Sequence, residues 1–349
     1  MAAIRMKDLA QDLGVSIVTI SKSLRDHPDI GRATKERVLQ RVKELNYTPN
    51  LMARGLVTGR SCLIALVVPD LLNSFFVEIA ASLSTELRKH GYSLLISWTA
   101  EDPDVEATEI QHLLSVGMDA MIIATSTDQT SSFRMLEDRK IPYLLLDRDI
   151  PELKAPFIGM DDLLIGKMAT QHLIDIGCRR IGHISGPPMS PGFRRLEGYQ
   201  KALAAAGISQ NPKYIVAPSE SGPRGFQHGL EAAQRLLEVK PRVDGIFCFN
   251  DPVGVGAIEA IRAAGLKIPQ DIAMIGCGNL PIARTLILPL STVDQNTKAL
   301  GEKSAKLVLD MLKRPDKNKA QRRVLLKPQL MVRGTSARNR SGILSKVST

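Results

Sequence analysis

A chain of 349 residues, 44% of them hydrophobic, can bury a substantial core and is expected to form two or three domains. Its net charge of +10 is uneven: residues 1–60 hold 11 basic and 6 acidic side chains, residues 313–349 hold 11 and 1, and residues 61–312 hold 24 and 29. That pattern argues against general stickiness and for a localised polyanion site at the head. Cys62, Cys178, Cys248 and Cys277 lack metal-ligand spacing, no apolar run approaches the ~18 residues of a membrane span, and no apolar stretch follows the N-terminal charges. Buried reduced thiols in a cytoplasmic protein without metal or cofactor are therefore expected.

The first informative stretch runs from Asp8 to Leu24. Gly14 supplies a turn with φ > 0 and Ser16 a helix N-cap, so Leu13-Gly14-Val15-Ser16 reads as the turn of a helix-turn-helix. Ile20, Leu24 and Val15 should face Leu9, Ala10 and Leu13 in a small core. The outer face then carries Ile17, Val18, Ser21 and Lys22. Two β-branched apolar residues there suit thymine methyls in a major groove, and Lys22 suits guanine O6/N7 or a phosphate. On these residues alone, an ordinary helical pair in a larger α domain fits as well. Residues 32–45 read as a third helix with Val38, Leu39, Val42 and Leu45 on one stripe. After Tyr47-Thr48-Pro49-Asn50, residues 50–59 are apolar at Leu51, Met52, Leu56 and Val57 but too short for a helix that stands alone. Such a segment should order only where a partner buries it.

From Cys62 the pattern alternates strand and helix. Strands are expected at 62–68, 92–97, 120–124 and 143–146, with helices at 75–90, 105–116 and 132–139 between them. The series restarts at Asp161 with a helix to 176, then strands at 180–184, 214–216, 245–249 and 272–276 separated by helices at 194–206, 226–239 and 252–264. These are right-handed βαβ units in parallel sheets buried on both faces, in two similar α/β halves with a ligand site between the carboxyl ends of their strands. A helix at 297–313 and a strand at 323–326 close the body. The expected division is a helix-turn-helix domain at 1–49, a linker at 50–60 and a core at 61–336. Within the core, one subdomain comprises 61–160 plus a C-terminal return and the other 161–290. A basic, aperiodic tail at 337–349 is expected to be loose.

The head, linker and two sequential α/β halves resemble the LacI/GalR family of bacterial transcription repressors from about Ile4 to Thr335. The resemblance is carried by Asp8-Leu-Ala, Gly14-Val-Ser16, Thr19-Ile-Ser21, Tyr47-Thr-Pro-Asn50 and Ala53-Arg54 with Leu56 in the head and linker. In the body it is carried by Gly159 and Asp161, Arg195-Leu-Glu-Gly-Tyr199, Asn250-Asp251, Pro289-Leu-Ser-Thr-Val293 and Val332-Arg-Gly334. It implies an α-helical DNA-binding head on a periplasmic-binding-protein-like core of two doubly wound parallel-sheet subdomains. It further implies a homodimer on a pseudo-palindromic operator, released or retained by a small effector, a sugar or sugar derivative by the family's pattern. Ile17, Val18 and Lys22 fall where the family reads bases, and Ser16, Thr19, Ser21, Tyr47 and Asn50 where it holds phosphates. Ala53 lies in the linker, and Leu56 matches the leucine that wedges into the minor groove. Lys22 departs from the usual arginine and lacks its two-pronged geometry.

For the effector, the resemblance implies Phe75, Phe76, Asp147, Arg195, Phe226, Asn250, Asp251 and Asn279, with Arg195 and Asp251 binding sugar hydroxyls. Phe75, Phe76 and Trp98 lie near strand ends where a sugar face would stack, although core packing explains a phenylalanine equally well. A structural ion pair between Arg195 and Asp251 is the alternative to a ligand role. Asn279 stands where relatives often carry a carboxylate, which alters the polar pattern offered to a ligand. A solute-binding protein without transcriptional work is opposed by the intact head. Catalysis is not expected, because no glycine cradle, nucleophile elbow or His/Cys cluster occurs and the six histidines are scattered. No leucine heptad follows Arg333, so a dimer rather than a tetramer is expected.

Overall fold

The computed structural model describes residues 4–24, 26–47, 60–153, 155–218, 224–314 and 323–337. The chain divides into two compact units, residues 1–61 and 62–349.

In the first unit, α1 (Met6–Asp12), α2 (Ile17–Leu24) and α3 (Arg32–Glu44) surround Leu9, Ala10, Ile20, Val38 and Tyr47, with Leu13, Val15, Leu24 and Val42 packed at the margin. Gly14 takes φ 65°, and the Thr19 amide donates to Ser16 Oγ at 3.0 Å, so the turn and cap form as their residue types dictate. Leu39 departs from expectation and is half exposed. It lies about 100° around the helix from Val38, beyond the stripe that Val38, Val42 and Leu45 define.

In the second unit, β1 (Leu63–Val68), α4 (Ser74–Arg88), β2 (Ser93–Trp98), α5 (Pro103–Val116), β3 (Ala120–Ile123), α6 (Ser131–Asp138), β4 (Tyr143–Leu146) and β5 (Phe157–Met160) come first. They are followed by α7 (Asp162–Asp175), β6 (Ile181–Ile184), α8 (Ser190–Ala205), β7 (Ile215–Val216), α9 (Gly225–Glu238), β8 (Gly245–Cys248) and α10 (Asp251–Ala263). The last elements are β9 (Ala273–Gly278), α11 (Pro281–Thr285), β10 (Ser291–Asp294), α12 (Thr297–Lys313), β11 (Arg323–Leu326) and β12 (Gln329–Met331). The described strands form two six-stranded sheets ordered β11-β5-β4-β3-β1-β2 and β12-β10-β9-β8-β6-β7. Their helices cover both faces, and β3, β4 and β8 are buried along their whole length, which explains their unbroken apolar runs.

Two features differ from the expected layout. The second sheet continues past residue 290 through β10 and β12, and β12 runs antiparallel to β10. The return to the first sheet consists of α12, packed on α4 with Thr297 Oγ1 donating to Glu78 Oε2 at 2.7 Å, and β11, paired with β5. Strand β10 escapes a hydrophobic-pattern reading because Ser291 and Thr292 are fully buried yet polar. Their hydroxyls are satisfied by Arg333 O at 3.0 Å and Asp251 Oδ1 at 2.6 Å.

Two glycines set the contact that matters most for the cleft. A Cβ at Gly166 would lie 2.1 Å from Arg195 O, and one at Gly198 would lie 2.2 Å from Leu163 O. Without side chains there, α7 and α8 pack backbone to backbone, and this brings Arg195 to Asp162.

Candidate functional site

Helix α2 presents Ile17 and Val18 to solvent at 50% and 61% exposure, while Ile20 and Ser23 turn inward. Two exposed β-branched residues beside a capped helix start are an unusual solvated surface and a suitable base-reading one. The Ser16 and Thr19 hydroxyls lie 2.9 Å apart at the helix start, and Ser21 is half-buried. Lys22 is not simply extended into solvent: its Nζ meets Asp29 Oδ2 at 2.7 Å, with His27 Nδ1 at 3.3 Å from the same oxygen. Tyr47, expected to hold a phosphate, has its ring in the head core. Asn50, Ala53 and Leu56 lie outside the described residues.

In the second unit, the carboxyl ends of the two sheets face each other across a cavity of about 420 Å³. The size suits a small molecule. From the first sheet's side come Asn73, Phe76, Trp98, Glu101 and Arg148; from the second come Ser185, Arg224, Phe226, His228, Phe249 and Asn250. Trp98 and Phe226 are both about half exposed, and the indole Nε1 donates to Pro69 O at 3.2 Å, which fixes its plane. A smaller recess of about 40 Å³ shares Asn73, Phe76, Arg148, Phe249 and Asn250 and adds Phe75, Asp147, Arg195 and Gln295.

The buried charges are paired in a defined way. Arg148 grips both oxygens of Glu101 at 2.6 and 2.5 Å and donates to Thr125 O at 2.9 Å. Arg195 Nε donates to Asp162 Oδ1 at 2.8 Å and its Nη1 to Phe249 O at 2.7 Å, with the guanidinium 4.5 Å above the Phe249 ring. Burial pushes the Asp162 carboxyl up against the pull of Arg195. Asp147 sits at φ 63°, and its Oδ1 is buried without a hydrogen-bond partner. Burial, reinforced by the negative charge of Asp162, pushes its carboxyl up to about 7.

Phe75, Phe76, Asp147, Arg195, Phe226 and Asn250 are thus brought together around one chamber and its recess. Asp251 and Asn279 are not. Asn250 accepts from Val253 N at 3.0 Å as the cap of α10 and still faces the chamber, whereas Asp251, the next residue, turns beneath it and is fully buried. Its oxygens accept from Thr292 Oγ1 at 2.6 Å and Leu280 N at 2.8 Å, which ties β10 to α10. Asn279 donates to Asp294 Oδ2 at 3.0 Å and accepts from Arg333. Arg195 and Asp251 form no ion pair with each other; the partner of Arg195 is Asp162. Sequence reasoning missed Glu101, Arg148, Asp162, Arg224, His228 and Gln295. Arg148 alone carried a usable signal, two residues past a strand end.

The chain matches two family models, bacterial regulatory proteins of the lacI family over residues 5–50 and the periplasmic binding proteins and sugar binding domain of the LacI family over residues 61–334. It is 31% identical to the HTH-type transcriptional repressor CytR of Escherichia coli (strain K12), across 96% of each chain. Identity to the ribose operon repressor of Haemophilus influenzae is 33%, across 94% of this chain and 97% of that one. The solved structure of a transcriptional regulator CelR–cellobiose complex is 27% identical with a TM-score of 0.72, covering 95% of this chain and 99% of that one.

Proposed function

The chain belongs to the lacI family of bacterial regulatory proteins, and we propose that it acts as a homodimer on a pseudo-palindromic operator, with a small carbohydrate bound between its two core subdomains as the effector. It is a ligand-regulated, DNA-binding repressor. In this reading residues 1–49 form the DNA-binding domain, 50–60 the hinge and 61–336 the effector-binding and dimerisation core. Ile17 and Val18 contact base edges, Lys22 a base or phosphate, Ser16, Thr19 and Ser21 phosphates, and Leu56 the minor groove between half-sites. Tyr47 packs in the head core, and in this reading it also reaches a phosphate.

The chamber between the carboxyl ends of both sheets is the observation that supports an effector role, because closing on a ligand there changes the relation of the two subdomains. Phe76, Trp98 and Phe226 supply apolar faces for a sugar ring, and Asn250, Glu101, Arg148 and Ser185 supply polar edges. A coupling of about 1–3 kcal/mol between the chamber and the head would change operator affinity by about 5- to 150-fold.

The test is selection of binding sites from random duplex DNA with the full-length protein, followed by titration of the selected site with ribose and with cellobiose. A pseudo-palindrome whose affinity changes with a neutral sugar is the expected result. Only salt-sensitive, sequence-blind binding would reject the specific-reader assignment.

A further inference from the structure

The amino ends of β9, β8, β6 and β7, four neighbouring strands of the second sheet, lie at the opposite end of that sheet from the chamber. Lys267 precedes β9, Lys240 and Arg242 precede β8, Arg179 and Arg180 precede β6, and Lys213 precedes β7; all six are exposed. Two hydrogen bonds join these segments into one surface: the Tyr214 hydroxyl donates to Pro241 O at 2.6 Å, and Arg180 Nε donates to Arg242 O at 2.6 Å. With strands about 4.8 Å apart, the cations form a row roughly 15 Å long. Residues 61–312 are acidic on balance, 24 basic against 29, so the row is a local concentration of charge and not the average of the body.

The nearest carboxylates are turned inward onto the backbone. Asp244 Oδ1 accepts from Arg179 N at 2.9 Å and Arg180 N at 2.8 Å, with Arg180 Nη2 at 3.3 Å from its Oδ2. Asp271 Oδ2 accepts from Lys267 N at 2.7 Å. Asp175, engaged by Gln171, and Glu238 are the exposed acids at the helix ends nearby. Among the described residues, the ion pair at this end is Arg180 with Asp244, and none joins a carboxylate to Lys213, Lys240, Arg242 or Lys267. The chain also leaves the sheet here: Met274 N donates to Thr335 O at 2.8 Å beside the start of β9. Residues 338–349 then add Arg338, Arg340 and Lys346 and no acidic side chain.

The surface selects its partner by what it lacks as well as by its charge. No large apolar side chain is exposed in residues 179–180, 209–215, 239–244 or 262–271. A protein partner or an unpaired nucleic-acid strand needs aromatic or apolar anchors. Outward cations without them suit a uniform polyanion. Duplex DNA offers one phosphate charge about every 1.7 Å of its axis. A repressor seated on its operator is surrounded by such DNA at high effective concentration.

We propose that this row binds the phosphate backbone of a second, non-operator duplex, so that one repressor holds two DNA segments. The inference goes beyond operator reading by the head and effector binding in the chamber, and it rests on the head holding DNA.

The test saturates a bead-tethered duplex carrying the selected operator with full-length protein, washes it, and offers a labelled duplex of random sequence at about 50 mM salt. The wild type should capture the labelled duplex and lose it by about 200 mM salt. Lys213→Gln/Lys240→Gln/Lys267→Gln should reduce capture about ten-fold or more, and should lower the slope of log affinity on log salt by about 2.7, at about 0.9 per phosphate contact. Its operator affinity and melting temperature should stay those of the wild type. Lys298→Gln/Lys303→Gln/Lys306→Gln, the same charge removed from α12, should capture as the wild type does. No capture by the wild type, full capture by the first variant, or equal loss in both variants would overturn the row. Capture of phosphatidylserine vesicles without capture of duplex would overturn DNA as its occupant. If selection yields no operator, the specific-reader assignment fails instead. Anisotropy of the random duplex with the wild type and the first variant then decides the row, and equal affinities overturn it.

Discussion

Arg195 and Asp162 form a buried ion pair, Nε to Oδ1 at 2.8 Å, across the glycine-mediated contact of α7 and α8. The arginine also fixes the end of β8 through Phe249 O. Removing it strands Asp162 and Asp147 together without their shared cation. Arg195→Ala should lose about 3–5 kcal/mol of stability as well as any ligand response. Denaturant unfolding of the ligand-free variant checks this; an unchanged midpoint would leave only a ligand-contacting role for the residue.

On the head, Lys22 Nζ is held by Asp29 Oδ2 at 2.7 Å, a pair that the proposed contact with DNA would have to break. Exposed, solvent-screened pairs of this kind contribute little. Asp29→Asn should therefore tighten operator binding by no more than about five-fold, while Lys22→Ala should weaken it and relax selectivity at one base position. Affinities at two salt concentrations separate the two effects. Equal loss from Lys22→Ala on all sequences would reduce the lysine to a phosphate contact.

In the proposed reading, Leu56 wedges into the minor groove between the half-sites. Leu56→Ala should remove tight operator binding and keep the weak, salt-dependent mode. Retention of specific affinity would reject the wedge.

Phe226 is about half exposed and lines the chamber opposite Trp98. Truncation to alanine should alter stability by less than ~1 kcal/mol, because little packing is lost at such a site. Sugar affinity should fall about ten-fold or more with operator affinity preserved. Calorimetry and operator titration on the same preparation give both numbers.

His183 is stacked between Tyr199 and Phe247, its Nδ1 donates to Phe247 O at 3.0 Å, and its Nε2 has no partner. Burial pushes its pKa down to about 4. The unfolded chain takes up this proton near 6.5, so the contribution is fully present above that pH and is lost as pH falls toward 4. His183→Phe should flatten the acid limb of the stability curve by up to about 1.4 kcal/mol per pH unit; an identical acid limb would show that the imidazole titrates normally.

Local chemistry alone determined the head and the order of the body. Gly14 and Ser16 specify their own turn and cap, and the spacing of Leu9, Leu13, Ile20, Leu24 and Val38 specifies which faces meet. Apolar runs bounded by helical periodicity likewise identified the two α/β series, because a parallel strand buried on both faces has no polar side to interrupt it. Tertiary structure decided what local pattern cannot encode. Buried Ser291 and Thr292 make a strand only because Arg333 and Asp251, at 42 and 41 residues' distance, satisfy their hydroxyls. Asn250 faces the chamber and Asp251 does not, because one helix turn points consecutive side chains in different directions. Arg195 belongs to Asp162, 33 residues away, because two glycines let their helices touch. Which charges pair, Arg148 with Glu101 and Arg195 with Asp162, depends on distances set by the packed chain.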